Sequence, residues 1–252
     1  MTKMTLLEIT QDILNDIDAD EVNSIDDTVE ATQVAQIVKS TYFALVHIRN
    51  WYSNRTLVNL VASGDDSLPT HVTLPKNLSE LVFINYDSAR EGQNRKIFQP
   101  IRYVYPDEFL RRQNQYNTEN DNVDVIQDPS GVELLIRNDI PPTVYTSFND
   151  DVVVFDAYDK AVDDTIQSHK IQAMGYVTPP WLHEDSFTPS MPEEAFTLLT
   201  EEAKSKAAIK LRQVADDKAE QESQRQNRWL SRKQWRVQGG IRKPDYGRKR
   251  GK

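Results

Sequence analysis

Glu193-Glu194-Ala195-Phe196-Thr197-Leu198-Leu199-Thr200-Glu201-Glu202-Ala203 is the stretch that decides the fold. Prolines at Pro179-Pro180, Pro189 and Pro192 bracket a linker before it, and the two glutamates place acids at a helix entry. Phe196, Leu199, Ala203, Ala207, Leu211 and Val214 then recur on one helical stripe, which predicts a single helix to about Ala219. An apolar stripe of that kind needs a facing helix. The matching helical patterns lie at the far end of the chain.

Thr5-Leu6-Leu7-Glu8 has the form of a capping box, and Leu6, Ile9, Ile13 and Ile17 follow at helical spacing, predicting a helix from about Thr5 to Ile17. After Asp26-Asp27-Thr28, the residues Val34, Ile37, Val38, Thr41, Leu45 and Ile48 trace a second face through to about Trp51. The two pack antiparallel if Asp18 to Asp27 turns back, and the C-terminal helix packs on the pair.

Between these ends the hydrophobic period changes to that of strands: Thr56–Ala62, Leu81–Tyr86, Ile97–Val104, Val123–Gln127, Val132–Arg137, Val152–Tyr158 and Ile171–Val177. Asp128-Pro129-Ser130-Gly131 is the best hairpin signal, with Asp, Pro and Gly at positions a type I turn prefers. Tyr105-Pro106-Asp107-Glu108-Phe109-Leu110 predicts one short helix inside this region, with Arg111-Arg112 following. The expected class is α+β: a helical bundle formed by the N- and C-terminal helices, a β-rich insertion and a basic C-terminal extension. The expected divisions are a helix pair over 1–55, the insertion over 56–178, linker and long helix over 179–224, and the extension over 225–252. Gln221 to Asn227 is too polar to define a buried face.

Charge is sharply partitioned. Arg225 to Lys252 holds eleven Lys or Arg and one acid, Asp245, a net +10 on a chain of formal charge −9, so the remainder carries −19. Such a tail is built to engage something other than its own body. Trp229 and Trp235 sit within it, and Trp with Arg is the pairing most enriched at the energetic centres of protein interfaces. Arg228, Trp229, Arg232, Lys233, Trp235, Arg236, Arg242, Lys243 and Tyr246 are the candidate binding residues. On a helix the two tryptophans lie about 120° apart; they serve either as interface anchors or as packing on the subunit's own helices. Arg228, Arg232, Lys233 and Arg236 would pair with acids on a partner or on an adjacent copy. Gly239-Gly240 and Gly247 suit hinges and turns, and the final residues a solvated end.

Composition excludes several classes. The 252 residues are 38% apolar and 27% charged, with no cysteine, so there are no disulfides, thiolate metal sites or cysteine nucleophile. The start lacks a signal-peptide pattern and no run of 18 apolar residues occurs, so a soluble, unsecreted chain without a membrane partner is expected. His47, His71, His169 and His183 have no metal or triad spacing. Asp16-x-Asp18-x-Asp20 resembles the opening of a calcium loop, but Glu21 stands where glycine is needed and Asp27 at the twelfth position, so a solvated turn is the better reading. Asp65-Asp66 and Asp150-Asp151 are adjacent and read as turn chemistry rather than paired catalytic acids. No phosphate-cradling glycine loop or nucleophile elbow is present. The expectation is a non-enzyme with no cofactor, no metal and no catalytic residue.

Pro142-Thr-Val-Tyr-Thr-Ser-Phe-Asn-Asp-Asp-Val-Val-Val-Phe-Asp-Ala-Tyr-Asp159 resembles a segment of the head-to-tail adaptor (connector) proteins of tailed bacteriophages, a group that includes the tail tubular protein A of short-tailed phages. Ile101-Arg-Tyr-Val-Tyr-Pro-Asp-Glu-Phe-Leu-Arg-Arg112 and the helix pair ending in Ile48-Arg-Asn-Trp51 are similar too, as is the order of elements over essentially the whole chain. The resemblance implies a structural virion protein, assembled in the host cytoplasm, that docks as a ring beneath the portal protein at the head-tail junction. In that family the ring usually has twelve copies, its other side meets the tail nozzle protein, and a C-terminal extension reaches along the portal. DNA would pass through the channel without specific binding, and the acidic surplus would suit a wall to which DNA does not stick. The 28-residue basic segment of this chain, fully extended, reaches about 90 Å. Within the resembling segment, Val152 to Phe155 also reads as a buried strand with aspartates as turn and cap residues. The alternative function is a nucleic-acid-binding protein that uses the basic arm on phosphates; its acidic body and the lack of an ordered aromatic motif in the arm speak against it.

Overall fold

The computed structural model describes residues 3–90 and 94–235. Two helices open the chain, α1 (Leu6–Asp16) and α2 (Val29–Ile48). Strands β1 (Arg55–Val58), β2 (Val61–Ala62), β3 (His71–Thr73), β4 (Leu78–Asp87) and β5 (Phe98–Tyr103) follow, then α3 (Pro106–Gln113). After α3 come β6 (Val123–Gln127), β7 (Glu133–Arg137), β8 (Val144–Ser147), β9 (Val152–Phe155) and β10 (Ile171–Val177), and the chain returns to helix in α4 (Glu193–Ala207) and α5 (Asp217–Trp235). The class is α+β, with helices from both ends of the chain in contact and a β-rich region between them. Two compact units result, Met1–Asn54 with Pro179–Lys252, and Arg55–Thr178.

In the helical unit the Thr5 capping box forms: Glu8 N–H donates to Thr5 Oγ1 at 3.2 Å and Thr5 N–H to Glu8 Oε2 at 2.7 Å. The next orphan donors of α1 are met from across the chain, Leu6 N–H by the Phe187 carbonyl at 2.7 Å and Leu7 N–H by that of Asp185 at 3.2 Å. The proline-bracketed linker is therefore a strap laid on the N-terminal helices. Trp181 and Phe187 from the strap join Tyr42 and Phe43 of α2 in an aromatic cluster with centroids 4.8–6.1 Å apart. Burial pushes the Tyr42 phenol up to about 12, and its hydroxyl donates to the Ser190 carbonyl. The expected stripes of α1 and α2 are buried, except that Ile48 points to solvent because α2 ends there, short of Trp51. Trp51 folds back and its indole N–H donates to the Leu45 carbonyl at 2.9 Å, satisfying one of the acceptors the helix end leaves open.

The long C-terminal helix expected to run unbroken from Glu193 to about Ala219 is interrupted. After α4 a π-helical turn, Ala208–Arg212, ends at Gln213 in the left-handed region (φ 56°). Asp216 then caps a new helix, its Oδ1 accepting from Lys218 N–H at 3.1 Å and Ala219 N–H at 3.0 Å. Val214, expected on the buried stripe, is exposed at this break.

The β unit holds an eight-stranded sheet in the order β1-β10-β4-β5-β8-β9-β3-β2, antiparallel except for β5 with β8. β1 and β2 lie at opposite ends of that order yet are joined through Asn59 and Leu60 alone. Three Cα steps span at most about 11 Å, so the sheet must roll until its ends meet. The single strand expected over Thr56–Ala62 is thus two strands pivoting at buried Leu60. β3 and β8 were not foreseen, and β9 is shorter than the strand expected to reach Tyr158. β6 and β7 form a separate hairpin whose turn is the expected one: Gly131 sits at φ 85° and its N–H donates to the Asp128 carbonyl at 2.7 Å. The α3 helix forms with Pro106 at its start, acids in its first turn and Arg111-Arg112 in its last.

Candidate functional site

The basic segment begins inside a packed helix. Ala219, Ser223 and Leu230 on α5 are buried, at spacings of four and seven residues that keep one face toward α4. Within Gln221 to Asn227, expected to be too polar to define a buried face, Ser223 alone is buried, and the face is completed by Ala219 before the stretch and Leu230 after it. Ser223 Oγ donates to Glu202 of α4, and Leu230 joins the core of the helical unit. Charge along α5 follows the helix dipole, with Asp217, Glu220 and Glu222 early and Arg225, Arg228, Arg232 and Lys233 late.

Arg49, just beyond the end of α2, holds the basic half of α5. Its Nη2 donates to the Asn227 carbonyl at 3.3 Å, to Asn227 Oδ1 and to Ser231 Oγ at 2.7 Å, while the guanidinium lies 5.0 Å over the Trp51 ring. Burial pulls the Arg49 guanidinium below its ordinary value. Two further ties fix the frame. Lys204 of α4 bridges Asp12 at 3.0 Å and Asp16 at 2.6 Å, so the first aspartate of the calcium-like run is engaged by a lysine. Arg212 in the π turn donates to the Ile17 carbonyl at 2.9 Å and lies 3.7 Å from Glu30.

Of the candidate binding residues, Arg228 and Trp229 are exposed on α5 and line, with Gln221, Gln224, Arg225 and Gln226, a groove of about 700 Å³. Arg232, Lys233 and Trp235 belong to the last turns of α5. Arg236, Arg242, Lys243 and Tyr246 lie outside the described residues, as do Gly239-Gly240 and Gly247. Arg49, Leu230 and Asp216 were missed as determinants of this surface. Only Asp216-Asp217 carried a readable signal, a cap followed by an acid in the first turn.

Among the described residues no group of three His, Cys, Asp or Glu is placed to hold a metal ion, and no helix is long and apolar enough to cross a membrane. His47 stacks on Phe43 at 6.1 Å and His183 lies 3.7 Å from Asp26. His71 is buried, with Nε2 3.1 Å from Asp128 Oδ1. Burial alone would raise the Asp128 carboxyl, but hydrogen bonds from Ser130 and His71 outweigh it and hold the group below its ordinary range. Asp65 accepts from Ser67 N–H at 2.8 Å, and Asp150 adopts φ 59° in the β8–β9 turn, both as turn residues. In the Pro142–Asp159 segment, Val153, Val154 and Phe155 are buried, and the Asp156 carboxylate accepts from Thr143 N–H (2.8 Å), Thr143 Oγ1 (2.6 Å) and Val144 N–H (3.0 Å). The Asp156 carboxylate is thus met from within the hairpin itself.

No family model matches this chain, and no curated protein matches it.

Proposed function

We propose that this chain is the subunit of a phage head-to-tail adaptor, which forms a ring beneath the portal and joins it to the tail. The observation that carries the reading is the partition of charge: a +10 segment starting on the exposed face of α5, against a body of −19. A helix seated by Leu230 and Arg49 gives such an arm a fixed root. The Pro142–Asp159 resemblance and the order of helices and strands favour the same reading. In it, Arg228, Trp229, Arg232, Lys233 and Trp235, with the basic residues beyond, contact the portal or a neighbouring copy, and the β unit faces outward or toward the tail nozzle. Function is assembly rather than covalent chemistry: closed heterologous contacts make a ring, and many weak identical contacts make firm docking by avidity. The acids line the channel through which DNA slides; a lumen lined by Lys and Arg would contradict that part.

Labelling of purified virions with an antibody to the β unit tests the placement. Label at the head-tail junction is the expected result. Label confined to infected-cell nucleoprotein, with virions unlabelled, would overturn it in favour of the nucleic-acid reading.

A further inference from the structure

The excursion between β5 and β8 is tied unevenly to the sheet it covers. Its base is fixed many times over: Arg137 bridges Ala157, Tyr158 N–H donates to the Arg137 carbonyl at 2.9 Å, Lys160 N–H to that of Asn138 at 2.9 Å, and the Tyr158 hydroxyl to Asp124. Its tip, the Asp128–Gly131 turn, has the His71–Asp128 contact as its one polar tie to the sheet among the described residues. Between base and tip the cover rests on apolar side chains, Phe109 of α3 and Ile126, Leu134 and Ile136 of the hairpin.

What lies beneath is unusually polar for so dry a layer. His71 and Thr146 both pair with Val154, on β3 and β8 at either side of β9, so all three side chains share one face of the sheet. Phe109 of α3 meets Phe148, two residues beyond Thr146, and Gln113 follows one turn along the same helix face. Gln113 and Thr146 are fully buried, and Gln113 Oε1 and Nε2, Thr146 Oγ1 and His71 Nδ1 have no hydrogen-bond partner among the described residues. Unpaired buried polar atoms weaken the closed state against any state that admits water.

We infer that residues 106–137 form a hinged cover on the β3-β9-β8 face, which opens at its tip against the His71–Asp128 contact while its base stays attached. The hinges are the two returns to the sheet, 104–106 and 138–143. Opening exposes a row in which Val154 is flanked by His71 and Thr146. It is a property of the β unit and does not depend on the adaptor reading.

Amide hydrogen exchange of the full-length chain, followed by mass spectrometry, tests this directly. In the wild type, amides of β6 and β7 should exchange through partial openings at least about tenfold more frequent than those that release β4 and β10. His71→Phe, which keeps a ring but removes the tip contact, should raise hairpin exchange a further tenfold or so and leave β4 and β10 unchanged. Thr146→Val, of equal shape without the hydroxyl, should slow hairpin exchange. A common rate for the hairpin and for β4–β10 in the wild type would overturn the inference, as would equal acceleration of both by His71→Phe. Faster hairpin exchange in Thr146→Val would do the same, since it would mean the hydroxyl is satisfied when the cover is shut.

Discussion

Replacing Leu230 by alanine should free the basic helix from the body without unfolding the body. Leu230 is 4% exposed and, among the described residues, is the one large side chain on the buried face of α5, where Ala219 and Ser223 are its companions. Core Leu→Ala changes cost about 2–5 kcal/mol, and a helix on the periphery of a core can settle partly into the gap, so about 2–3 kcal/mol is expected here. At 1.4 kcal/mol per decade, that makes opening of α5 roughly 30- to 140-fold more frequent. Hydrogen exchange over 217–235 and tryptic cleavage after Arg228 read it out, because the helical backbone there enters a protease only when α5 lifts and unwinds. Arg225→Ala is the control: its side chain is 80% exposed and its ion pair is with Glu222 at 3.3 Å, so its effect should stay within about 0.5 kcal/mol. Equal protection of α5 in the two variants would refute the packing described for this helix.

Three other outcomes follow from particular contacts. Gly175→Ala should destabilise the β unit by about 1–3 kcal/mol, since a Cβ there would lie 2.5 Å from Leu78 Cδ1 and 2.7 Å from the Glu80 carbonyl oxygen beside a bulge in the β4–β10 pairing; an unchanged urea midpoint would contradict that register. Thr5→Ala removes the α1 cap and should cost about 1 kcal/mol, a fall of about 2–4 °C in Tm by calorimetry for a chain of this size. Asp128 is held below its ordinary range in the folded chain, so its stabilising contribution is present above the unfolded carboxylate pKa of about 3.9 and is lost as the pH falls through the depressed folded value. Urea unfolding of wild type and Asp128→Asn from pH 6 to pH 2 should show the two converging in acid, and a constant gap would contradict the assignment.

The elements with strong local signals were legible in the chain itself. The Thr5 box, the α1 and α2 faces, α3 and the Asp128–Gly131 turn each carry their own chemistry, a cap, a period or a turn residue. Failures came where tertiary context overrode a local pattern. Thr56 to Ala62 reads as one strand because apolar residues recur on both sides of Asn59, and only closure of the sheet divides it at Leu60. β3 and β8, of three and four residues, are too short to show a period. The helix expected to reach Ala219 breaks at Gln213 without glycine or proline, because Arg212 is drawn to the Ile17 carbonyl and Asp216 restarts the next helix. For the candidate surface, the basic and tryptophan residues were visible as composition, whereas their seat was not. Ala219, Ser223 and Leu230 form a face too small to register as hydrophobic, and Arg49 acts from a position 178 residues away in sequence.

The adaptor reading is tested most directly by co-sedimentation with the assembled phage portal ring that this reading assigns as its partner, and separately with duplex DNA, across a salt series. Full-length protein is compared with a chain ending at Trp235, which keeps Leu230 and the whole of α5 while removing seven of the eleven basic residues of the tail segment. The account predicts that the intact chain binds the portal at physiological salt and that the shortened chain binds far more weakly. Steeply salt-dependent binding to DNA, with none to the portal, would contradict it.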